Sequence, residues 1–506
     1  MKNILLTIFT FFLLSFSLYA QKSIDDSFSQ KKMQKDLKLF KNIREKANSG
    51  LYKYRSKNEI DSIYRWAENQ IEKSSTYRDF YNIIWELTDF EGSLHNGLSL
   101  PEKIYASITA ETTGYFPFPV KLIEGKLRMN MDSAKIPLGA EIISINQMSI
   151  EDILPNLYKY YTTDGFNKTG KVIGINGSFS YYYRLYYGKQ KQFLVTYKTA
   201  KSDEILTQTI QSVSYKKRRR NFVEKRHSFF YDKNSYSNIK EDESYYFEWL
   251  ENDIAKLTIN TFLIGGHAKD PIHIRYTEFL DSVFTLLKEK DVKNLIVDVR
   301  NNGGGTDPND LVTYSYLSSR NFMENKQAWV SFNKIPYLRY IKGIVPFYLK
   351  PIAKIIYTKQ LREEFPIGKD GKYYQDSASS DHQIWTPNKN AFTGQVYLMI
   401  TPRVASAGSL FAAMSASEKN TIVVGEETQG GYYGHNGHTS VSYTLPKSKL
   451  ETFFSIVNLE QDVPKKANQP VGSGIRPDYE ISQSYEDFIK NEDTQLNYVL
   501  ELIEKK

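Results

Sequence analysis

A run of glycines follows a strongly apolar stretch in the second half of the chain. Residues 294–299 read Asn-Leu-Ile-Val-Asp-Val, which predicts a buried strand, and residues 301–305 read Asn-Asn-Gly-Gly-Gly. Glycines have no Cβ atom, so their backbone N–H groups can approach a ligand closely. Such a loop before a helix can bind a phosphate or stabilise an oxyanion, and the simplest alternative is a tight turn. A phosphate is disfavoured because no Lys-Ser/Thr pair follows and the spacing does not fit G-x-G-x-x-G.

Ser406 lies where a second apolar strand, at residues 396–400, runs into a helix of small residues at 407–417. A hydroxyl at the start of a helix lies near the positive end of the helix dipole, which favours formation of a serine alkoxide. The alternative is a serine that only caps the helix. The surrounding residues do not form G-x-S-x-G, so this pattern alone leaves both roles open.

A third segment follows the predicted strand at residues 421–424. It is rich in glycine, contains Glu427, and is followed by His435 and His438, so it could line a cleft. Two histidines three residues apart in a loop are a weak metal signal, and the other histidines are scattered along the chain. The sequence therefore predicts no metal site and no cofactor.

Together these segments resemble the catalytic core of the C-terminal processing, or tail-specific, peptidases and their tricorn-core relatives. Four motifs occur in the family's order, namely R-N-N-G-G-G at 300–305, A-S-A-G-S-L-F-A-A at 405–413, V-G-E-E-T-Q-G at 424–430 and G-I-R-P-D at 474–478. The resemblance covers residues 246–480 and implies a serine peptidase with a ClpP/crotonase-like fold. Ser406 then falls on the nucleophile. The oxyanion donors are expected to be the backbone N–H groups of Gly303 or Gly304, together with Ala407.

The residue expected to act as general base differs from that of one branch of this family. Tail-specific peptidases use a Ser–Lys dyad, but the position of their lysine is Gly431 here and no lysine lies nearby. Tricorn-like members use a histidine from an earlier segment, which corresponds to His95, and Ser93 could help to hold it. The rival bases are His435 and His438. The acid that orients the histidine in tricorn relatives has no counterpart at 469–474, and the possible substitutes are Asp89, Glu91, Glu427 and Glu460.

Length and composition limit the remaining possibilities. The chain has 506 residues, enough for two or three domains, and no cysteine, which excludes disulfides and a thiol nucleophile. Its net charge of +8 is mild for this length and does not indicate nucleic-acid binding. Residues 1–20 read as a secretory signal peptide, with an uncleaved membrane anchor as the alternative. The protein is therefore predicted to be exported to the periplasm or cell envelope of a bacterium.

The predicted organisation is of the α/β (α+β) class. After the signal peptide come a helical region at 21–105, a PDZ-like module at 106–205, a polar linker at 206–245, and the catalytic core at 246–506 with an insertion at 321–391. The PDZ-like assignment rests on a strand, an Asn turn and a helix over residues 139–161, and a generic small α/β insert is the alternative. The basic run at 216–220 is typical of a solvated linker.

One part of the insertion has an unusual composition. Residues 325–362 contain eight Lys or Arg, no Asp or Glu, and many apolar residues. The segment could lie on an anionic membrane surface, cover the active site as a lid, or form an ordinary helical insert.

The predicted partner is a peptide or protein substrate. Two other functions remain open, namely peptide binding without cleavage and crotonase-type chemistry on acyl thioesters. Export disfavours the second because coenzyme A is cytoplasmic.

Overall fold

Helices and strands alternate along most of the chain in the computed structural model, which describes residues 23–200, 202, 204–228, 241–250, 254–342 and 350–505. The predicted signal peptide lies outside these residues. Within the described ranges, none of the helices combines the length and the apolar character that a bilayer crossing needs. The helices are α1 (Gln30–Ala47), α2 (Lys57–Ile71), α3 (Tyr77–Phe90), α4 (Glu102–Thr109), α5 (Ile150–Tyr158), α6 (Thr169–Tyr187), α7 (Tyr215–Glu224), α8 (Glu241–Ser244), α9 (Pro271–Glu289), α10 (Asn309–Ser315), α11 (Lys350–Glu364), α12 (Ala407–Ser417), α13 (Tyr485–Lys490) and α14 (Thr494–Glu504).

The strands form three sheets. They are β1 (Gly97–Ser99), β2 (Val120–Ile123), β3 (Lys126–Met129), β4 (Glu141–Ile145), β5 (Met148–Ser149), β6 (Gln192–Lys198), β7 (Ile205–Gln211), β8 (Tyr245–Trp249), β9 (Ala255–Ile259), β10 (Asn294–Asp298), β11 (Asn325–Val330), β12 (Ile367–Lys369), β13 (Lys372–Tyr374), β14 (Gln395–Ile400), β15 (Thr421–Gly425), β16 (Asn436–Thr444), β17 (Glu451–Gln461) and β18 (Tyr479–Glu480).

The sheet that carries the glycine run and Ser406 has the order β18-β15-β14-β10-β9-β8. All neighbouring strands in it are parallel except the pair β8 and β9. Leu295 and Val297 pack against α9, α10 and α12, whereas Ile296 packs on the opposite side with α14. Burial on both faces explains the nearly continuous apolar runs in β10 and β14. Because the carboxyl ends of parallel strands meet at one edge, the loops after β10 and β14 lie side by side.

An antiparallel sheet positions the histidines. Its order is β1-β17-β11-β13-β12, and β16 also pairs with β17. β1 begins two residues after His95, and β16 begins directly after His435. Both strands pair with the long strand β17, with Gly97 opposite Phe453 and Asn436 opposite Asn458. The segment after His95, from the N-terminal helical region, and the segment after His435, which follows the loop after β15, are therefore both paired with β17.

The N-terminal helices and a third sheet share one hydrophobic core. This antiparallel sheet has the order β2-β3-β4-β6-β7, with β5 beside β4. Phe40 and Phe80 from the helices belong to the same buried cluster as Ile142 and Phe193 from the sheet. The predicted units at 21–105 and 106–205 therefore do not have separate cores. The PDZ-like character of the second unit stays a prediction.

Two segments are more ordered than their polarity suggested. Residues 206–245 were predicted as a linker, but β7 pairs along its whole length with β6, and α7 contains the basic run at 216–220. Thr207, Thr209 and Gln211 of β7 face solvent at a sheet edge, which gave the segment its polar composition. The predicted insertion at 321–391 likewise supplies β11 to the antiparallel sheet between β17 and β13.

Candidate active site

A cavity of about 440 Å³ brings together residues from the antiparallel sheet that contains β17 and from the loops after β10 and β14. It is lined by Ser406 and Ala407 from the start of α12, Gly305 from the glycine run, and three histidines. The histidines are His95, His435 and His438. Residues more than 300 positions apart in the sequence thus face one space.

Ser406 occupies the N-cap position of α12, yet its side chain caps nothing. Its hydroxyl makes no hydrogen bond within the described residues, so the structure excludes the alternative of a simple helix cap. Its backbone has φ 52° and ψ −132°, a conformation that is costly for a residue with a Cβ atom. A strained serine at a strand-to-helix turn presents its hydroxyl at the edge of the sheet, as a nucleophile requires.

The glycine run lies directly against Ser406. Gly304 has φ +106°, and a Cβ atom placed on it would lie 2.7 Å from the Ser406 Cβ and 3.0 Å from the Ala407 nitrogen. Asn302 holds the two loops together. Its Oδ1 accepts the Gly304 N–H at 2.9 Å, and its backbone oxygen accepts the Ala405 N–H at 3.3 Å. Asn302 is fully buried, and sequence reasoning did not assign it a role.

The same contacts distinguish the three predicted oxyanion donors. The Gly304 N–H is engaged by Asn302 and is not available to a substrate. The N–H groups of Gly303 and Ala407 have no hydrogen-bond partner in the described part of the chain. Ala407 is the first residue of α12, so its N–H also carries part of the positive end of the helix dipole.

The His95 and His435 rings are in contact, with centroids 5.2 Å apart. His95 Nε2 and His435 Nδ1 are buried and have no hydrogen-bond partner among the described residues. Burial, with a smaller contribution from the nearby His438, lowers the pKa of His95 to about 4. Burial and neighbouring His95 also lower the pKa of His435. Both imidazoles are therefore neutral at pH 7 and can accept a proton.

Residues 253–481 match the profile of peptidase family S41. The chain carries an S41 peptidase domain. This match confirms the predicted resemblance to tail-specific and tricorn-core peptidases and the α/β fold class. It also confirms the assignment as a serine peptidase, which is a hydrolase. A comparison with curated proteins gives no match.

Two solved structures share the fold of the S41 domain and its N-terminal region. Mature CPAF complexed with lactacystin has a TM-score of 0.60 and 11% sequence identity, and the match covers 94% of this chain and 98% of that chain. Mature CPAF alone gives a TM-score of 0.58 and 11% identity, with 91% and 95% of the two chains covered. At 11% sequence identity the similarity shows a common fold but does not assign functions to individual residues.

His438 in the S41 domain lies close to two carboxylates. Its Nε2 lies 3.6 Å from Asp381 Oδ2 and 3.9 Å from Glu324 Oε1. Asp310 is fully buried beside this group, and neither of its carboxylate oxygens has a hydrogen-bond partner within the described ranges. Burial raises the pKa of Asp310 and of Glu324. This wall of the cavity is therefore acidic, and the Nε2 of His438 is directed at it.

Three of the acids predicted to support the histidine pair with basic side chains, namely Asp89 with Lys171, Glu91 with Arg44, and Glu460 with Lys326. Glu427 accepts the Gly474 N–H at 2.8 Å and does not line the cavity. Ser93 is buried, and its hydroxyl has no partner in the described part of the chain. Asp307 has the residue type of a helix cap, but the N-cap position of α10 is Pro308 and no side chain caps it. The side chain of Asp307 lines the cavity instead.

Asp164 ties the loop that bears His95 to the S41 domain. It is fully buried, its Oδ1 accepts the Leu94 N–H at 3.0 Å, and its Oδ2 accepts the Gly431 N–H at 3.0 Å. The neighbouring Gly165 N–H donates to the Gly92 oxygen at 2.9 Å. Burial raises the pKa of Asp164 to about 6 in spite of these bonds. Sequence reasoning missed this residue, because only its Asp-Gly turn signal is visible locally.

Proposed function

We propose that this S41 domain is an endopeptidase that cleaves peptide bonds through an acyl-enzyme on Ser406, with His95 as the general base. The observation that carries the proposal is the shared cavity, in which an unbonded serine hydroxyl lies at a helix N-terminus against the glycine run and which a buried imidazole also lines. His95 is preferred to His438 because the Nε2 of His438 faces carboxylates, whereas the Nε2 of His95 has no partner within the described residues.

The chemistry follows from this arrangement. Ser406 Oγ attacks the carbonyl carbon of the scissile peptide bond while His95 Nε2 takes its proton. The backbone N–H groups of Gly303 and Ala407 stabilise the negative charge on the carbonyl oxygen, and one such donor typically contributes about 3–4 kcal/mol to lowering the barrier. The imidazolium then donates the proton to the leaving amine. Water, deprotonated by His95, hydrolyses the ester and restores the serine.

The test is covalent labelling of the purified chain with a fluorophosphonate. We expect one phosphonyl group on Ser406 and hydrolysis of an unstructured protein such as casein that stops on labelling. Ser440→Ala is the matched control, since Ser440 lines the same cavity and is exposed. Label on Ser440, or unchanged hydrolysis after complete labelling of Ser406, would reject the proposal. Peptide binding without hydrolysis would favour the alternative of a binding protein with this fold.

Replacing Gly304 with alanine should lower kcat by about 100-fold or more. The new Cβ would lie 2.7 Å from the Ser406 Cβ, and the φ of +106° disfavours any side chain. The loop must shift, which displaces the Gly303 N–H from the oxyanion, and loss of one donor typically costs about 10²–10³-fold. The measurement is kcat on a fluorogenic peptide together with thermal unfolding.

Gly177→Ala is the control for this variant. Gly177 lies in α6 with no atom within 4 Å of an added Cβ, so alanine should leave kcat unchanged and stabilise the helix by up to about 1 kcal/mol. Equal turnover of Gly304→Ala and the unsubstituted chain would show that the glycine run does not form the oxyanion site.

Export to the periplasm or cell envelope is part of the proposal. It is supported by the charged start, apolar run and small final residue of residues 1–20. Mass spectrometry of the mature N-terminus after expression with the leader tests it, and a chain that still begins at Met1 in the cytoplasmic fraction would contradict it.

A further inference from the structure

Helix α11 presents isoleucines to solvent on consecutive turns. Ile352, Ile355 and Ile356 are 57%, 72% and 50% exposed, and the adjacent Tyr357 is also exposed. A spacing of three and four residues places the three isoleucines on one face of the helix. We call these three residues, with Lys359 and Arg362 four and seven positions after Ile355, the α11 face.

The opposite side of the helix explains why these isoleucines stay outside. Ala353 and Leu361 are buried, and Leu361 packs with Phe365 against Val330 of β11. This packing anchors α11 to the antiparallel sheet and fixes its orientation. The isoleucines therefore point away from the sheet that holds α11. Turning them toward the sheet would break the contacts of Leu361 and Phe365 with Val330. Exposed apolar side chains on adjacent turns typically mark an interaction surface.

The charges around the isoleucines are mostly positive. Lys359 and Arg362, which lie on the same face, are exposed. From residue 325 to residue 362 the sequence has eight Lys or Arg and no Asp or Glu. Glu363 and Glu364 follow at the end of the helix, and Glu363 Oε1 lies 3.7 Å from Lys359 Nζ. An apolar strip bordered by basic side chains matches the boundary of an anionic lipid layer, where acyl chains lie beneath phosphate groups.

We propose that the α11 face binds the surface of a bilayer that contains anionic phospholipids and holds the peptidase there. The isoleucines enter the boundary between headgroups and acyl chains, and Lys359 and Arg362 bind phosphate groups. A second copy of the chain fits this face less well, because symmetric pairing would place the basic side chains of both copies together.

Vesicle flotation with the purified full chain tests this proposal. One set of vesicles contains phosphatidylcholine alone, and the other contains phosphatidylcholine with about 30% phosphatidylglycerol. We expect at least about tenfold stronger partitioning onto the anionic vesicles, and loss of this difference in high salt. Equal partitioning onto both kinds of vesicle, or no binding to either, would overturn the proposal.

Substitutions locate the binding surface. Ile355→Glu combined with Ile356→Glu should lower partitioning onto anionic vesicles by at least about tenfold, because it removes apolar contact and adds repulsion. Ile205→Glu is the matched control, since Ile205 is 63% exposed on the edge strand β7, and it should bind as the unsubstituted chain does. Cleavage of a short soluble peptide should be unchanged in both variants.

Two further results would also overturn the proposal. One is full vesicle binding by the Ile355→Glu, Ile356→Glu chain. The other is a dimer in analytical ultracentrifugation that these substitutions dissociate, since the α11 face would then be an interface between copies. Vesicle binding by a Ser406→Ala chain is expected to be normal, so this result stands apart from the outcome for peptide cleavage.

Discussion

Replacing Ser406 with alanine is expected to lower kcat for peptide hydrolysis by about 10⁴–10⁶-fold. The hydroxyl supplies the atom that bonds to the substrate, and the remaining oxyanion donors can give only a small part of the acceleration. The fold should be unaffected, because the Ser406 hydroxyl has no hydrogen-bond partner within the described residues. The free energy of unfolding should therefore change by no more than about 1 kcal/mol.

This combination of effects separates a nucleophile from a structural serine. Ser409 gives the comparison, because it lies three residues further along, is fully buried, and donates its hydroxyl to the backbone carbonyl oxygen of Ser406 at 2.8 Å. Ser409→Ala removes a buried hydrogen bond and should cost about 1 kcal/mol or more of stability, with a much smaller effect on kcat. A Ser406→Ala chain that retains more than a tenth of the activity would end the assignment of Ser406 as nucleophile.

The loops at the edge of the parallel sheet were predictable from the sequence. The apolar run of β10 and the glycines after it identify a buried strand and a close backbone approach without further information. The same holds for Ser406, where the junction between β14 and α12 is visible in the residue types. Parallel strands bring such loops to one edge, so local patterns were sufficient here.

The position of His95 could not be derived from local patterns. It depends on β1, a strand of three residues whose partner on β17 lies more than 350 positions away in the sequence. Only the resemblance to a known family linked His95 to Ser406. The tie through Asp164 is of the same kind, because a buried carboxylate that accepts two backbone N–H groups leaves no periodic signal in the sequence.

The distinction among the oxyanion donors also required the structure. Gly303 and Gly304 are equivalent as residue types, and only the bond from the Gly304 N–H to Asn302 shows that one of them is occupied. Likewise, Asp307 has the residue type of a helix cap but faces the cavity. Side-chain direction in a loop depends on tertiary contacts that the sequence does not express locally.

Replacing His95 with alanine is expected to lower kcat by about 10³–10⁴-fold, because Ser406 would then attack without a base to accept its proton. His438→Ala is the matched control. His438 lines the same cavity, but its Nε2 faces Asp381 and Glu324, so its removal should change kcat by less than about tenfold. The measurement is kcat on a fluorogenic peptide for both variants. A large loss in His438→Ala with little change in His95→Ala would transfer the role of base to His438.

The pH dependence gives an independent check on the same residue. Only neutral His95 can take the serine proton, so kcat/KM should fall as the pH decreases through the pKa of its imidazole. Burial lowers that pKa to about 4, below the ordinary histidine value of about 6.5. Activity should therefore stay level from about pH 8 down to about pH 5.5 and decline only below that. A decline centred near pH 6.5 would mean that the base is a solvated imidazole, which the buried Nε2 of His95 does not provide.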